Sequence, residues 1–90
     1  MLLSNPKTIK LQKKYQKVLN LYTAFNDTYC FMGMRGHRQD CVVHFDSNGK
    51  ILFEHVFEKI MDSFGMMDER NCIMLETREN CISVLNLENH

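Results

Sequence analysis

The spacing of apolar residues in the first quarter of the chain most restricts what it can fold into. From Pro6 to Phe25 the large apolar side chains recur at steps of four and three, at Leu11, Tyr15, Val18, Tyr22 and Phe25. Such steps place side chains on one face of an α-helix. Asn5 can cap this helix, and Pro6 suits its first position because no hydrogen-bonded N–H is needed there. The spacing therefore predicts an amphipathic helix from Pro6 to Phe25.

Short aromatic and β-branched runs predict hairpins further along the chain. Residues 28–35 and 41–46 are two such runs, and the loop between them is rich in turn-forming residues. Asn48-Gly49 is the dipeptide most typical of a tight hairpin turn. Residues 72–87 are expected to form a closing hairpin.

Two interpretations compete for the residues after the Asn48-Gly49 turn. The chain can continue as a third strand, or a helix can begin at once, because apolar residues keep a helical period from Phe53 to Phe64 and Gly65 is a typical helix stop. We adopt a short strand at about Lys50 to Phe53 that passes into a helix from Glu54 to Phe64.

The order of these elements, α-β-β-(β)-α-β-β, predicts an α+β fold. We expect a two-layer domain in which two amphipathic helices cover one face of a mainly antiparallel four- or five-stranded sheet. With 44% apolar and 24% charged residues, the composition is that of one globular domain over residues 1–90. No apolar run is long enough to span a membrane, and the first residues do not resemble a signal peptide. The expected location is the cytoplasm, without membrane association.

Four cysteines, Cys30, Cys41, Cys72 and Cys81, raise the question of disulfides or a metal site. All four lie in apolar runs and no export signal is present, which favours free, mostly buried thiols. The sequence contains no CxxC or HxxxH pair, so no metal and no cofactor is expected.

Charge is distributed unevenly along the sequence. Residues 1–45 carry seven basic and two acidic side chains, and residues 46–90 carry four basic and nine acidic ones. On the predicted first helix four lysines share one flank, and the adjacent hairpin loop adds a second basic group. The resulting candidate partner-binding residues are Lys10, Lys13, Lys14, Lys17, Arg35, His37 and Arg38. Asp40 is expected to orient one of the two guanidinium groups.

These observations favour a small non-enzymatic interaction protein, a regulator or inhibitor that docks on a larger protein through charged surfaces. The alternative is a nucleic-acid-binding protein that uses the lysine stripe and the Arg35–Arg38 loop. A small ribonuclease built on His37, Asp40 and His44 is less favoured, because no recognisable catalytic motif is present. Met66 and Met67 offer an adaptable docking surface if they are exposed, and a homodimer would suit so small a domain.

Overall fold

The computed structural model describes residues 8–36, 39–76 and 78–89, and within these ranges the chain forms seven strands and no helix. The strands are β1 (Tyr15–Ala24), β2 (Thr28–Arg35), β3 (Gln39–Phe45), β4 (Ile51–Val56), β5 (Ser63–Met66), β6 (Asn71–Glu76) and β7 (Cys81–Asn86). Strands β1 to β4 form sheet A and strands β5 to β7 form sheet B, each in sequence order with antiparallel neighbours. The described chain is all-β, so the predicted α+β fold with two helices is wrong. Within these ranges no helix has the length and apolar character needed to cross a membrane.

One face of sheet A, its inner face, packs on sheet B. The apolar cluster of the shared core contains Cys30, Met32 and Val42 from sheet A with Phe64, Cys72, Met74 and Leu87 from the sheet B side. Alternation along each strand produces this arrangement, because every second side chain points to the same face.

The outer face of sheet A carries a second core. Its buried residues are Tyr15, Phe31, Cys41, Val43 and Phe45. Residues 8–14, which we name the strap, precede β1 and supply Leu11 to this core. Near the start of the strap, Ile9 lies so close to Gly49 that a Cβ on Gly49 would be 2.5 Å from the Ile9 side chain. Gly49 also has a φ of 85°, a backbone conformation that favours glycine. The predicted Asn48-Gly49 turn is therefore confirmed, and both this conformation and the close approach of Ile9 favour glycine at position 49.

The predicted basic helix is wrong: Pro6 at its start lies outside the described residues, residues 8–14 form the strap, and the remainder is mostly the bulged strand β1. The register between β1 and β2 shifts between Tyr15 and Lys17 and again between Leu19 and Leu21, so that each shift inserts one extra residue into β1. Because of these bulges, Tyr15, Val18 and Leu21 all fall on the outer face of sheet A. Their spacing of three imitates a helical period although the backbone is extended.

The end predicted for the first helix is a hairpin turn. Asn26 and Asp27 have φ values of 53° and 55°, and the Thr28 N–H donates to the Phe25 carbonyl over 3.1 Å. Two central residues with positive φ define the type I′ turn, which matches the twist of antiparallel strands. Asparagine and aspartate tolerate this conformation better than other non-glycine residues.

The second predicted helix, from Glu54 to Phe64, is also wrong. Strand β4 continues to Val56, beyond the predicted end at Phe53, and Gly65 lies inside β5. The connector between them is fixed by Asp40, which is only 7% exposed. Its carbonyl accepts the Phe57 N–H and its carboxylate accepts the Met61 N–H, each over 2.8 Å. The β2–β3 hairpin and the closing hairpin, β6–β7, are confirmed.

Candidate interaction surface on sheet A

A groove opens on the outer face of sheet A between the strap and β1. It has a volume of about 280 Å³ and is lined only by apolar and aromatic side chains: Ile9, Leu11, Val18, Leu21, Tyr29, Phe31 and Phe45. Its floor is an aromatic cluster, in which the Phe31 ring meets the Tyr15 ring edge-on at 5.5 Å and the Tyr29 ring stacks on Phe45 at 5.7 Å.

Two aliphatic side chains of β1 stand at the rim of this groove. Val18 is 41% exposed and Leu21 is 63% exposed. Both lie beside Phe31, which is 1% exposed. Neighbouring apolar side chains at the mouth of an apolar groove are typical of a surface that binds another molecule.

Glu54 on β4 holds the strap against sheet A. Its carboxylate accepts the Tyr15 hydroxyl, lies 2.5 Å from the Arg35 guanidinium and lies 3.3 Å from the Lys14 ammonium. Burial by itself would raise the pKa of Glu54, but the Tyr15 and Lys14 hydrogen bonds and the two cations hold it below its ordinary value. Burial and the hydrogen bond to Glu54 raise the pKa of Tyr15, so this hydroxyl stays protonated as a donor.

The predicted lysine stripe is divided between two sides of sheet A. Lys10 and Lys13 are exposed on the strap, and neither makes an ion pair within the described ranges. Lys14 is held by Glu54. Lys17 pairs in register with Met34, which belongs to the inner-face row, so it lies on the side opposite the groove.

The hairpin loop contributes less to a basic surface than the sequence predicts. Arg35 is paired with Glu54 rather than with Asp40, whose carboxylate is turned to the Met61 N–H. His37 and Arg38 lie outside the described residues.

Two of the three predicted ribonuclease groups, His44 and Asp40, are buried, and the third, His37, lies outside the described residues. His44 is 2% exposed, and its Nε2 lies 2.8 Å from the Thr28 hydroxyl oxygen. Asp40 is buried on the same inner face of β3. A phosphodiester could not reach these two groups without opening the core between the sheets.

The four cysteines are free, and three of them are buried, as predicted. Burial raises the pKa of Cys30 to about 12 and those of Cys41 and Cys72 to about 11. Only a small fraction of these three thiols is ionised at neutral pH, so they are unreactive. Cys81 is exposed at the start of β7. Of the two methionines proposed for docking, Met66 packs on the inner core and Met67 is 58% exposed.

Cys81 also belongs to a cluster with Glu76 and Glu79, whose potential ligand atoms lie within 4.8 Å of one another. Both Glu76 oxygens already accept backbone N–H groups, from Arg78 over 2.8 Å and from Glu79 over 2.7 Å. Glu79 is paired with Lys59. These carboxylates therefore serve the β6–β7 turn and a surface ion pair.

The groove escapes prediction because the apolar stripe that contains Val18 and Leu21 is assigned to the buried face of a helix, whereas in β1 both side chains are exposed at the groove rim. The sequence does indicate a charged surface in this region, because residues 8–26 contain four lysines and no acidic residue. The chain matches no protein-family model, no curated protein sequence and no solved structure.

Proposed function

We propose that this chain is a non-enzymatic interaction protein that binds an acidic, apolar segment of a larger protein in the sheet A groove. The observation that carries the proposal is the 63% exposure of Leu21 at the rim of a groove lined entirely by apolar and aromatic side chains. A partner side chain seated there would remove apolar surface of both molecules from water.

The charge around the groove favours an acidic partner. The strap that forms one side carries Lys10 and Lys13, which are exposed and make no ion pair with the described residues. Lysines in this position attract carboxylates over a distance and accelerate association more than they strengthen the final complex. In this proposal Lys10 and Lys13, two of the charged residues predicted from the sequence, lie at the edge of an apolar binding site.

The nucleic-acid alternative has less support. Lys17 lies on the side of sheet A opposite the strap, so the lysines do not follow one continuous path. Tyr29 and Phe31 are packed into the aromatic cluster below the groove, where their faces are engaged by other rings. Proteins that bind single strands need exposed rings on which bases stack.

Burial of His44 and Asp40 supports a role without catalysis, because these two of the acid–base groups singled out in the sequence are engaged inside the fold. A regulator or inhibitor of a larger protein, acting in the cytoplasm, fits a small chain that offers one apolar groove with a basic margin.

Selection from a random peptide library tests the proposal. The immobilised full chain should enrich peptides that contain a large apolar residue next to aspartate or glutamate. Leu21→Thr removes the apolar rim but keeps a residue that favours strands, and it should weaken a selected peptide by about tenfold or more, as expected for a lost anchor. Lys10→Gln with Lys13→Gln should slow association and flatten its salt dependence.

The matched control is Ile82→Thr, because Ile82 is also 63% exposed but belongs to sheet B. This variant should bind the selected peptides like the wild type. Equal binding to the Leu21→Thr variant would contradict the proposal, and so would a single-stranded RNA that binds more tightly than any selected peptide.

A further inference from the structure

The two sheets have four edge strands, and three of them carry features that discourage pairing with another strand. Strand β1 has two bulges and an exposed lysine, β4 has an irregularity opposite the His44–Phe45 step, and β5 is four residues long. Bulges, charges and short length are the ordinary protections of sheet edges.

Strand β7 has none of these protections. It spans six residues, Cys81–Asn86, and contains no charged side chain and no proline. Its register with β6 is unbroken over its whole length, so its free edge presents a regular row of backbone N–H and C=O groups beyond the last strand of sheet B.

The side chains of β7 extend an apolar surface to that edge. Ile82 is 63% exposed and Val84 is 55% exposed. In register they stand opposite Leu75 and Ile73 of β6, on the face of sheet B turned away from the shared core. Two apolar cross-strand pairs therefore lie on this face, and the outer member of each pair belongs to the edge strand.

We propose that β7 pairs antiparallel with β7 of a second copy of this chain, so that two copies of sheet B form one six-stranded sheet. A twofold axis in an antiparallel pair keeps Ile82 and Val84 of both copies on the same face, where β-branched neighbours stabilise each other. The surface lies on the other sheet from the groove, so this dimer does not depend on the function proposed above.

Charge favours a second copy over another partner. The formal net charge of the chain is zero at pH 7, and β7 itself is uncharged. The paired strands therefore bring no like charges opposite each other, although residues 46–90 as a whole carry an acidic excess, and β7 gives a charged partner nothing to recognise. A single strand-to-strand contact is smaller than a standard interface, so the dimer should be weak and dependent on concentration.

Sedimentation velocity on the full chain, from about 1 to about 500 µM, tests the proposal over the range of a weak interface. The weight-average mass should rise from near 10.7 kDa toward twice that value. Hydrogen exchange at the two ends of this range should show slower exchange for β7 amides at high concentration and no change for β1 amides. A constant mass overturns the proposal, and so does a dimer whose β7 amides exchange at an unchanged rate, because that result indicates face-to-face packing.

Charge substitutions locate the contact. Val84→Lys and Val84→Glu should each abolish association, and an equimolar mixture of the two should restore it, because opposite charges then face each other across the new pair. Leu21→Lys, a substitution of a residue on β1 that is 63% exposed against 55% for Val84, should leave association unchanged. Urea unfolding of each variant confirms that it is folded. Loss of the dimer in Leu21→Lys, or a mixture that stays monomeric, overturns the pairing through β7.

Discussion

Sheet A and sheet B differ in how many of their faces are covered. The inner face of sheet A packs on sheet B and its outer face packs on the strap, so Phe31 and Met32, neighbours on opposite faces, are 1% and 3% exposed. In sheet B the described residues cover only the inner face: Met74 is 1% exposed, whereas Ile82 and Val84 are more than half exposed. Buried apolar packing is therefore concentrated in sheet A and on the inner face of sheet B, and apolar side chains remain exposed at the rim of the sheet A groove and on the outer face of sheet B.

The largest expected effect comes from truncating the outer core of sheet A. Phe31→Ala should lower the free energy of unfolding by about 3–5 kcal/mol, because it removes a buried ring that contacts Tyr15 and Phe45. Val84→Ala on the open face of sheet B should change it by no more than about 0.5 kcal/mol. Urea unfolding at about 2 µM, where the proposed weak dimer is dissociated, measures both.

Phe31→Leu is the graded control, since it keeps an apolar side chain and should fold even if Phe31→Ala does not. Its cost should lie between the other two. A Val84→Ala variant as destabilised as Phe31→Leu would show that the outer face of sheet B is covered in the folded chain, which contradicts the comparison of the two sheets.

The same difference explains which parts of the fold can be predicted from the sequence. Strands β6 and β7 have an unbroken register, so their β-branched runs and the turn between them are recognisable, and the closing hairpin is predicted correctly. Strand β1 has two extra residues, which convert an alternation of two into steps of three. A search for helical period can mistake such a strand for a helix, because steps of three also occur along one face of a helix.

Glu54 offers a test of how firmly the strap covers sheet A. Glu54→Gln keeps the shape of the side chain but leaves Arg35 and Lys14 without their carboxylate. We expect a loss of about 1–2 kcal/mol at pH 7, moderated by the partial exposure of the two cations. The surface pair of Glu79 with Lys59 in the sheet B region supplies the control, and Glu79→Gln should have little effect.

The pH dependence of the Glu54 effect follows from its lowered pKa. The unfolded carboxyl takes up a proton near its ordinary pKa of 4.5, and the folded one does so only at lower pH. The contribution of Glu54 is therefore fully present above that value and is lost as the pH falls through the folded pKa. Chemical unfolding from pH 7 to pH 3 should show the wild type and Glu54→Gln converging. A difference that stays constant would mean that the carboxylate charge does not hold the strap.

Asn20 lies at the second bulge of β1, and substitutions of this residue test whether its backbone conformation maintains the bulge. Asn20 has a φ of 50°, which strains most side chains but suits glycine and asparagine. Asn20→Ala should cost about 1 kcal/mol, and Asn20→Gly should stay within about 0.5 kcal/mol of the wild type. Thermal unfolding of the two variants checks this. Equal losses would assign the effect to the asparagine side chain rather than to the backbone of the bulge.

The candidate site is less predictable than the fold because it depends on which strand residues meet across the sheet. Lys10 and Lys13 remain exposed beside the groove as predicted surface lysines, but Lys14 and Arg35 are joined to Glu54, a residue assigned from the sequence to the start of the second helix. Composition identifies the lysine-rich segment. Only the register of β1 with β2 brings Val18, Leu21 and Phe31 together beside the strap.

Labelling of the thiols is expected to affect stability least. It also compares the two sheets most directly. Sheet A has one cysteine on each face, Cys30 inside and Cys41 outside, and both are 0% exposed. In sheet B, Cys72 is equally buried on the inner face, whereas Cys81 is exposed on the edge strand. Burial raises the pKa values of Cys30, Cys41 and Cys72 to about 11 or 12, so these three thiols stay protonated and unreactive near neutral pH. Alkylation of the native chain, followed by mass spectrometry, should add one label quickly at Cys81, and denaturation without reductant should bring the total to four.

Rapid labelling of Cys41 would show that the strap leaves the outer face of sheet A open, and fewer than four labels after denaturation would show that the thiols are not all free.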